Sequence, residues 1–282
     1  MIHSNSSDTL TGIERIRAKF TTNKSLKRKA IAPFVTAGDP DLMTTAELIQ
    51  VMDKAGATLI ELGVPYSDPI ADGGVIQASY VRALGRGMTL DDLFEMIRNV
   101  STKVSTPILA MVSYSIIYRK GIRTFVDEAA EAGLAGFIVP DLPIEESNEL
   151  ADASKQKGLA LVRLVTPTTP PERAEIIARE STGFLYCVSV AGVTGARHSL
   201  PDGLIKRVKW LRTKTDVPVL VGFGISSPSQ AKAVASVADG VIIGSAIVKH
   251  LAGVTDSSRD DLKVSLEHYV KDLVTAVESV TD

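Results

Sequence analysis

Short apolar runs rich in valine, isoleucine and leucine alternate along this chain with longer stretches whose apolar residues return at helical spacing. The first pattern predicts buried strands, the second predicts amphipathic helices, and their alternation predicts repeated βα units. Strands are expected over residues 32–37, 58–63, 107–112, 136–139, 160–165, 184–188, 218–222 and 240–243. Helical periodicity falls around residues 13–20, then over 45–55, 90–100, 123–132, 147–157, 171–180, 204–214 and 229–237, with a final helix near 260–280. Two start signals fit this reading. Thr169 with Pro170 and Glu172 has the form of a capping box, and Ser227 before Pro228 puts proline in a first turn.

Strands apolar on both faces need cover on both, and eight parallel strands can close into a barrel without open edges. The expected fold class is therefore α/β, a single eight-stranded parallel βα barrel (TIM barrel) with an extra N-terminal helix. Residues 1–282 are expected to form one domain, with 1–10 as a flexible tail. An open doubly wound sheet is the alternative. It is disfavoured because the first strand runs into Thr36-Ala37-Gly38-Asp39, not into a glycine-rich dinucleotide loop. Two connections are long, from Val64 to about Met88 and from Ser189 to about Gly203. Both follow strand C-termini, where barrel enzymes build their sites, so both are candidate lids.

Composition narrows the class further. With 45% hydrophobic and 23% charged residues the chain reads as an ordinary globular protein with a substantial core. The net charge of -2 comes from interspersed acids and bases, so there is no basic stripe for nucleic acid. Cys187 is the only cysteine, which excludes an internal disulfide and suits a buried position in a reduced compartment. The polar start, residues 1–10, lacks an apolar leader, and no segment has the apolar length of a membrane span. A cytoplasmic protein, bound neither to membrane nor to nucleic acid, is expected.

Three glycine-bearing stretches end consecutive late strands: Gly192-Val193-Thr194-Gly195, Gly222-Phe223-Gly224-Ile225-Ser226 and Gly244-Ser245-Ala246. Each alone would be an ordinary tight turn, but together they predict a phosphate cup, because glycines admit a ligand close to backbone amides at helix starts. Charge-assisted hydrogen bonds are worth roughly 1.5–3 kcal/mol each, so a few amides with the Ser245 hydroxyl can hold a phosphate without lysine.

One carboxylate, Glu61, sits inside the apolar run Thr58-Leu59-Ile60-Glu61-Leu62-Gly63. Burial there should raise its pKa toward neutrality, the range for general acid–base work. Alternation puts it on one face with Leu59 and Gly63, and the small Gly63 is expected to leave ligand space above it. The competing reading is an ion pair with Arg163, the arginine inside a strand. Of the loop acids, Asp68 before Pro69 reads as a turn former, Asp72 is ambiguous, and Asp141 is favoured as a cap for the next turn. No strand carries a lysine for imine chemistry, and His3, His198, His250 and His268 are too scattered for a metal site.

The stretch from Glu61 through Val64-Pro65-Tyr66-Ser67-Asp68-Pro69-Ile70-Ala71-Asp72-Gly73 resembles the signature of the tryptophan synthase α subunit family. Pro33-Phe34-Val35-Thr36-Ala37-Gly38-Asp39-Pro40, Pro140-Asp141-Leu142-Pro143 and the three glycine stretches resemble it in the same order, over roughly residues 31–248. The resemblance implies retro-aldol cleavage of indole-3-glycerol phosphate into indole and glyceraldehyde 3-phosphate. It implies that Glu61 shuttles protons, Asp72 holds the indole N–H, Tyr186 supports Glu61 and Thr194 orders Asp72. Phe34, Met111, Ile138 and Phe223 become candidates for the indole slot, and Thr194, Gly195, Gly224, Gly244 and Ser245 for the phosphate end. No cofactor is implied in this chain; pyridoxal phosphate is expected only in a partner β subunit, within a heterotetramer.

The chain departs from the family pattern at Gly74, where a proline is usual, at Tyr66, where a phenylalanine is usual, and at Ser113-Tyr114-Ser115, where two tyrosines and an asparagine are usual; by resemblance, the loop carrying Tyr66 and Gly74 faces that partner. Three alternatives follow. A stand-alone lyase would release free indole, an isomerase of a phosphorylated sugar-amine would want an acid or cysteine on strand one, and a non-catalytic phosphate-binding barrel would not need Glu61 and Asp72.

Overall fold

The structure is a computed structural model that describes residues 10–70, 72–189, 200–222, 224–252 and 259–280. Its strands are β1 (Ala30–Thr36), β2 (Ile60–Gly63), β3 (Ile108–Met111), β4 (Gly136–Ile138), β5 (Ala160–Val165), β6 (Leu185–Val188), β7 (Val219–Gly222) and β8 (Gly240–Ile243). They pair in parallel in sequence order, and β8 returns to β1 to close the barrel. Closure excludes the open doubly wound sheet and leaves no unpaired edge.

Helices cover the outside. They are α1 (Gly12–Ser25), α2 (Leu42–Lys54), α3 (Gly74–Leu84), α4 (Leu90–Ser101), α5 (Tyr114–Lys120) and α6 (Ile122–Glu131) in the first half. The second half adds α7 (Asn148–Gln156), α8 (Pro171–Glu180), α9 (Asp202–Leu211), α10 (Pro228–Ala235), α11 (Ser245–Ala252) and α12 (Arg259–Glu278).

Side-chain alternation splits the core in two. Outward residues such as Leu62, Ala110, Phe137 and Val221 meet the helices, while inward residues such as Ala32, Leu59, Leu109, Val162 and Leu220 fill the barrel. Cys187 belongs to the outer set, and burial pushes its thiol up to about 11, as a core residue requires. The extra N-terminal helix plugs the bottom of the barrel. Thr11 and Glu14 cap it reciprocally, Ile16 packs among the inward residues, and Gly12 lies so close to Ala135 that a Cβ would come within 2.4 Å of its carbonyl oxygen.

Periodicity missed three helices. α3 occupies much of the connection read as a lid; it starts at two glycines and has no side-chain cap, so its start signal is silent. α5 and α11 are short and follow a strand almost at once. The capping box expected at Thr169 does not form: Thr169 Oγ1 accepts the Thr166 amide, and Pro170 takes the cap position without a side-chain bond. Ser227 does cap α10, accepting from the Gln230 amide ahead of Pro228. The tail at residues 1–9 and most of the second long connection, residues 190–199, lie outside the described residues.

Candidate active site

Glu61 projects from β2 into the barrel, in register with Phe34 of β1 and Leu109 of β3. It is 1% exposed, its Oε1 is buried without a hydrogen-bond partner, and burial raises its carboxyl to about 8. At neutral pH the group therefore holds its proton. The ion pair with Arg163 does not form. Arg163 is on the outward face of β5, where its amide donates to Ser181 Oγ, so the two side chains lie on opposite sides of the barrel wall.

The space expected above Glu61 is occupied. A Cβ on Gly63 would lie 2.3 Å from Phe34 Cζ and 3.0 Å from the Tyr80 hydroxyl oxygen. Gly63 thus makes room for two aromatic side chains rather than directly for a ligand.

Asp72 stands at the start of α3, half-buried. Its amide donates to the Pro69 carbonyl, and Gln77 Nε2 donates to the carbonyls of Pro69 and Asp72, so the first turns of α3 shape the loop. Burial first, then the charge of Asp141, raises the Asp72 carboxyl to about 6. Asp141 caps a helix, though not its own next turn: it accepts from Ser113 Oγ at 2.6 Å and from the Tyr114 amide at 2.9 Å, at the start of α5. Asp141 also faces the same cavity as Asp72.

Tyr186 of β6 is buried, and its hydroxyl sits where a Cβ on Gly222 would be, 2.4 Å away. Burial and the charges of Glu61 and Asp72 push its pKa well up. Tyr80 of α3, 3% exposed, is pushed up by the same three causes and was not singled out from the sequence, because the segment carrying it read as loop. Two neutral hydroxyls therefore flank the two acids.

A cavity of about 550 Å³ opens at the C-terminal mouth, bordered by Asp72, Met111, Asp141, Leu164, Tyr186 and Val188. Met111, a candidate for the indole slot, lines it. Phe34 and Ile138 do not: Ile138 is barrel core, and Phe34 packs with Tyr80, Val248 and Met111 beside the cavity. Leu164 and Val188 are lining residues that sequence reasoning missed, since an inward apolar residue at a strand end looks like any other. Gly224 follows β7 in the left-handed region, at φ 76°. Gly244 stands 3.8 Å, measured from a built Cβ, from Phe34 Cβ, and Ser245 opens α11. Thr194, Gly195 and Phe223 lie outside the described residues, as does His198. No group of acids, histidines and cysteine fit to hold a metal occurs among the described residues.

The family model described as "Tryptophan synthase alpha chain" matches residues 20–278. The chain belongs to the tryptophan synthase alpha chain family. A curated relative from Microcystis aeruginosa, a tryptophan synthase alpha chain, is 48% identical over 260 residues, covering 92% of this chain and 97% of the relative. A crystal structure of tryptophan synthase subunit alpha from Legionella pneumophila superposes with a TM-score of 0.87 at 32% identity, covering 94% of this chain and 99% of that one. A tryptophan synthase from M. tuberculosis in its aminoacrylate-bound form gives 0.82 at 29% identity, covering 93% and 99%. Membership of the tryptophan synthase alpha family makes the chain a lyase of tryptophan biosynthesis.

Within this tryptophan synthase alpha barrel, α12 ties the late loops together. Tyr269 donates its hydroxyl to the Ser226 carbonyl at 3.1 Å, after β7, while its ring stacks on His250 of α11 at 4.8 Å between centroids. His250 Nε2 is 2.8 Å from Ser265 Oγ. Neither Tyr269 nor the place of His250 carries a sequence signal, because the contact joins helices distant in the chain.

Proposed function

We propose that the chain cleaves indole-3-glycerol phosphate by a retro-aldol step in which Glu61 and Asp72 hold opposite protonation states. The observation that carries this reading is the placement of the two acids, Glu61 buried in the barrel with Oε1 unpartnered and Asp72 half-buried at the cavity; burial raises Glu61 to about 8 and Asp72 to about 6, which at pH 7 favours a protonated Glu61 and an ionised Asp72. Glu61 gives its proton to indole C3, and the positive charge that develops on the ring is stabilised by Asp72 accepting a hydrogen bond from the indole N–H. The Glu61 carboxylate so formed takes the proton of the side-chain hydroxyl. The bond to C3 breaks, its electron pair restores the aromatic ring, and the hydroxyl carbon becomes the aldehyde of glyceraldehyde 3-phosphate. Indole leaves neutral, and Glu61 ends protonated as it began.

Tyr186 and Tyr80, buried beside the acids, help keep Glu61 from bulk water, and Met111, Leu164 and Val188 offer apolar walls to the ring. Gly224, Gly244 and Ser245, with Thr194, Gly195 and Phe223, take the phosphate end and the far side of the ring. The carbon–carbon cleavage is driven by proton transfers and involves no redox or group-transfer step, so this reading assigns no cofactor to this chain.

The same reading gives the chain a β-subunit partner, which would hold pyridoxal phosphate, and a cytoplasmic setting; the rim of the mouth supports the docking of such a partner. Ile70 is 90% exposed on the loop after β2, and Tyr118 is 70% exposed on α5, next to Tyr114. Exposed large apolar groups at one rim are what a docking partner covers. The deciding experiment is a cleavage assay of purified protein on indole-3-glycerol phosphate, alone and with a β subunit. Acceleration by the partner supports the assembly, full activity without it identifies a stand-alone lyase, and no indole in either arm rejects the reading.

A further inference from the structure

We infer that the cavity contains a second binding site, for a small monocarboxylate with an apolar body, anchored by Arg163. The cavity takes in both faces of β5: Val162 and Leu164 border it from inside the barrel, Leu161 and Arg163 from the helix side. On that outer side it is closed by Ile144 and by Arg173 and Ile177 of α8. This annex is separate from the glycine loops after β7 and β8.

Arg163 is 7% exposed, and its Nε is buried with no hydrogen-bond partner. Among the described residues it has no ion-pair partner; Glu180 acts on it only at a distance. A guanidinium keeps its charge in nearly any protein setting, and a charge taken out of water without a partner is costly. The neighbouring cations have partners for their terminal nitrogens. Arg173 pairs with Glu145 at 2.8 Å, and Arg207, whose Nε is likewise buried without a partner, donates through its terminal nitrogens to the carbonyls of Pro167 and Thr169 at 3.2 and 2.8 Å. Those bonds, with the Thr166 amide donating to Thr169 Oγ1, hold the loop after β5 over the annex, so the space is preformed.

The chemistry of the walls selects the ligand. One uncommitted guanidinium offers a fork that matches a carboxylate, and no glycine loop there supplies the amide cluster a phosphate would want. Leu161, Ile144 and Ile177 around it favour an aliphatic or aromatic body over a bare inorganic anion.

Titration calorimetry on the full chain with hexanoate, hexan-1-ol and inorganic phosphate tests this. Hexanoate is expected to bind, with the neutral alcohol and phosphate each at least about tenfold weaker. Arg163→Gln should lower hexanoate affinity by at least about tenfold. Should that variant fold poorly, amide resonances of the unaltered protein decide: hexanoate should shift Arg163, Thr166 and Ile177 and leave Gly244 and Ser245 in place. Absence of hexanoate binding, equal affinity for phosphate or for the alcohol, unchanged affinity in a folded Arg163→Gln, or shifts centred on Gly244 would each overturn the site.

Discussion

At the residue scale, the site depends on a carboxylic acid kept from water. Glu61 sits among apolar inward residues with one oxygen unpartnered, so its charged form is penalised and its proton is held up to about pH 8. Asp72, nearer the mouth, is raised only to about 6, by burial and the charge of Asp141. The expected profile of kcat/KM against pH is a bell, rising as Asp72 loses its proton near 6 and falling as Glu61 loses its own near 8; a flat profile across that window contradicts the assignment. Glu61→Gln should retain substrate binding and lose roughly a hundred- to ten-thousand-fold in turnover, read as indole release. The same burial predicts a stability effect. Because the folded pKa of Glu61 is raised above the unfolded value, the native state binds the extra proton, and its stability falls as pH rises from about 4.5 to about 8. The slope is about 1.4 kcal/mol per pH unit within that window, and Glu61→Gln, which has no proton to lose, should remove it from a series of denaturant melts.

At the element scale, small residues and helix contacts set where the acids stand. Gly63 is needed because Phe34 and Tyr80 fill the space its side chain would take. Gly63→Ala should cost about 1–3 kcal/mol in chemical denaturation by overpacking, with turnover reduced as Phe34 is displaced beside the cavity. α3, α5 and α12 act as braces: α3 delivers Tyr80 and shapes the Asp72 loop, the start of α5 engages Asp141, and α12 holds the loop after β7 through Tyr269. Tyr269→Phe keeps the ring against His250 and removes only the hydroxyl bond to Ser226. A rise in KM of about fivefold, with kcat little changed, is expected from the loss of one hydrogen bond of about 1 kcal/mol that positions the phosphate end. An unchanged KM would remove α12 from the account of the phosphate cup.

At the scale of the whole molecule, barrel closure brings Met111 of β3, Leu164 of β5, Tyr186 and Val188 of β6 and Asp72 from the loop after β2 to one mouth, and leaves Ile70 and Tyr118 exposed on its rim. If that rim docks a β subunit, Ile70→Asp combined with Tyr118→Ser should weaken association by about tenfold or more, measured by calorimetry, since exposed apolar anchors carry much of an interface's energy. Closure also lets β5 turn Leu164 inward, on the side of the acids, and Arg163 outward toward the helices, both bordering a single cavity.

The amino-acid pattern alone determined the number, order and approximate limits of the strands, because buried parallel strands read as apolar runs whatever surrounds them. It also singled out Glu61, since one acid inside such a run must be either paired or perturbed. Which of the two applied was a tertiary question: Arg163, the partner in reach by sequence, points to the other side of the barrel wall. Tyr80, Leu164, Val188 and Tyr269 were illegible for the same reason, being ordinary residues whose roles arise only from what closure sets beside them. α3 was missed because its start is two glycines without a capping side chain, and its place is held instead by packing of Tyr80 against Phe34 and Val248. Local chemistry writes strands into a sequence; the meeting of side chains separated by many residues, which places an acid beside a cavity and a phenol beside the acid, exists only once the barrel has closed.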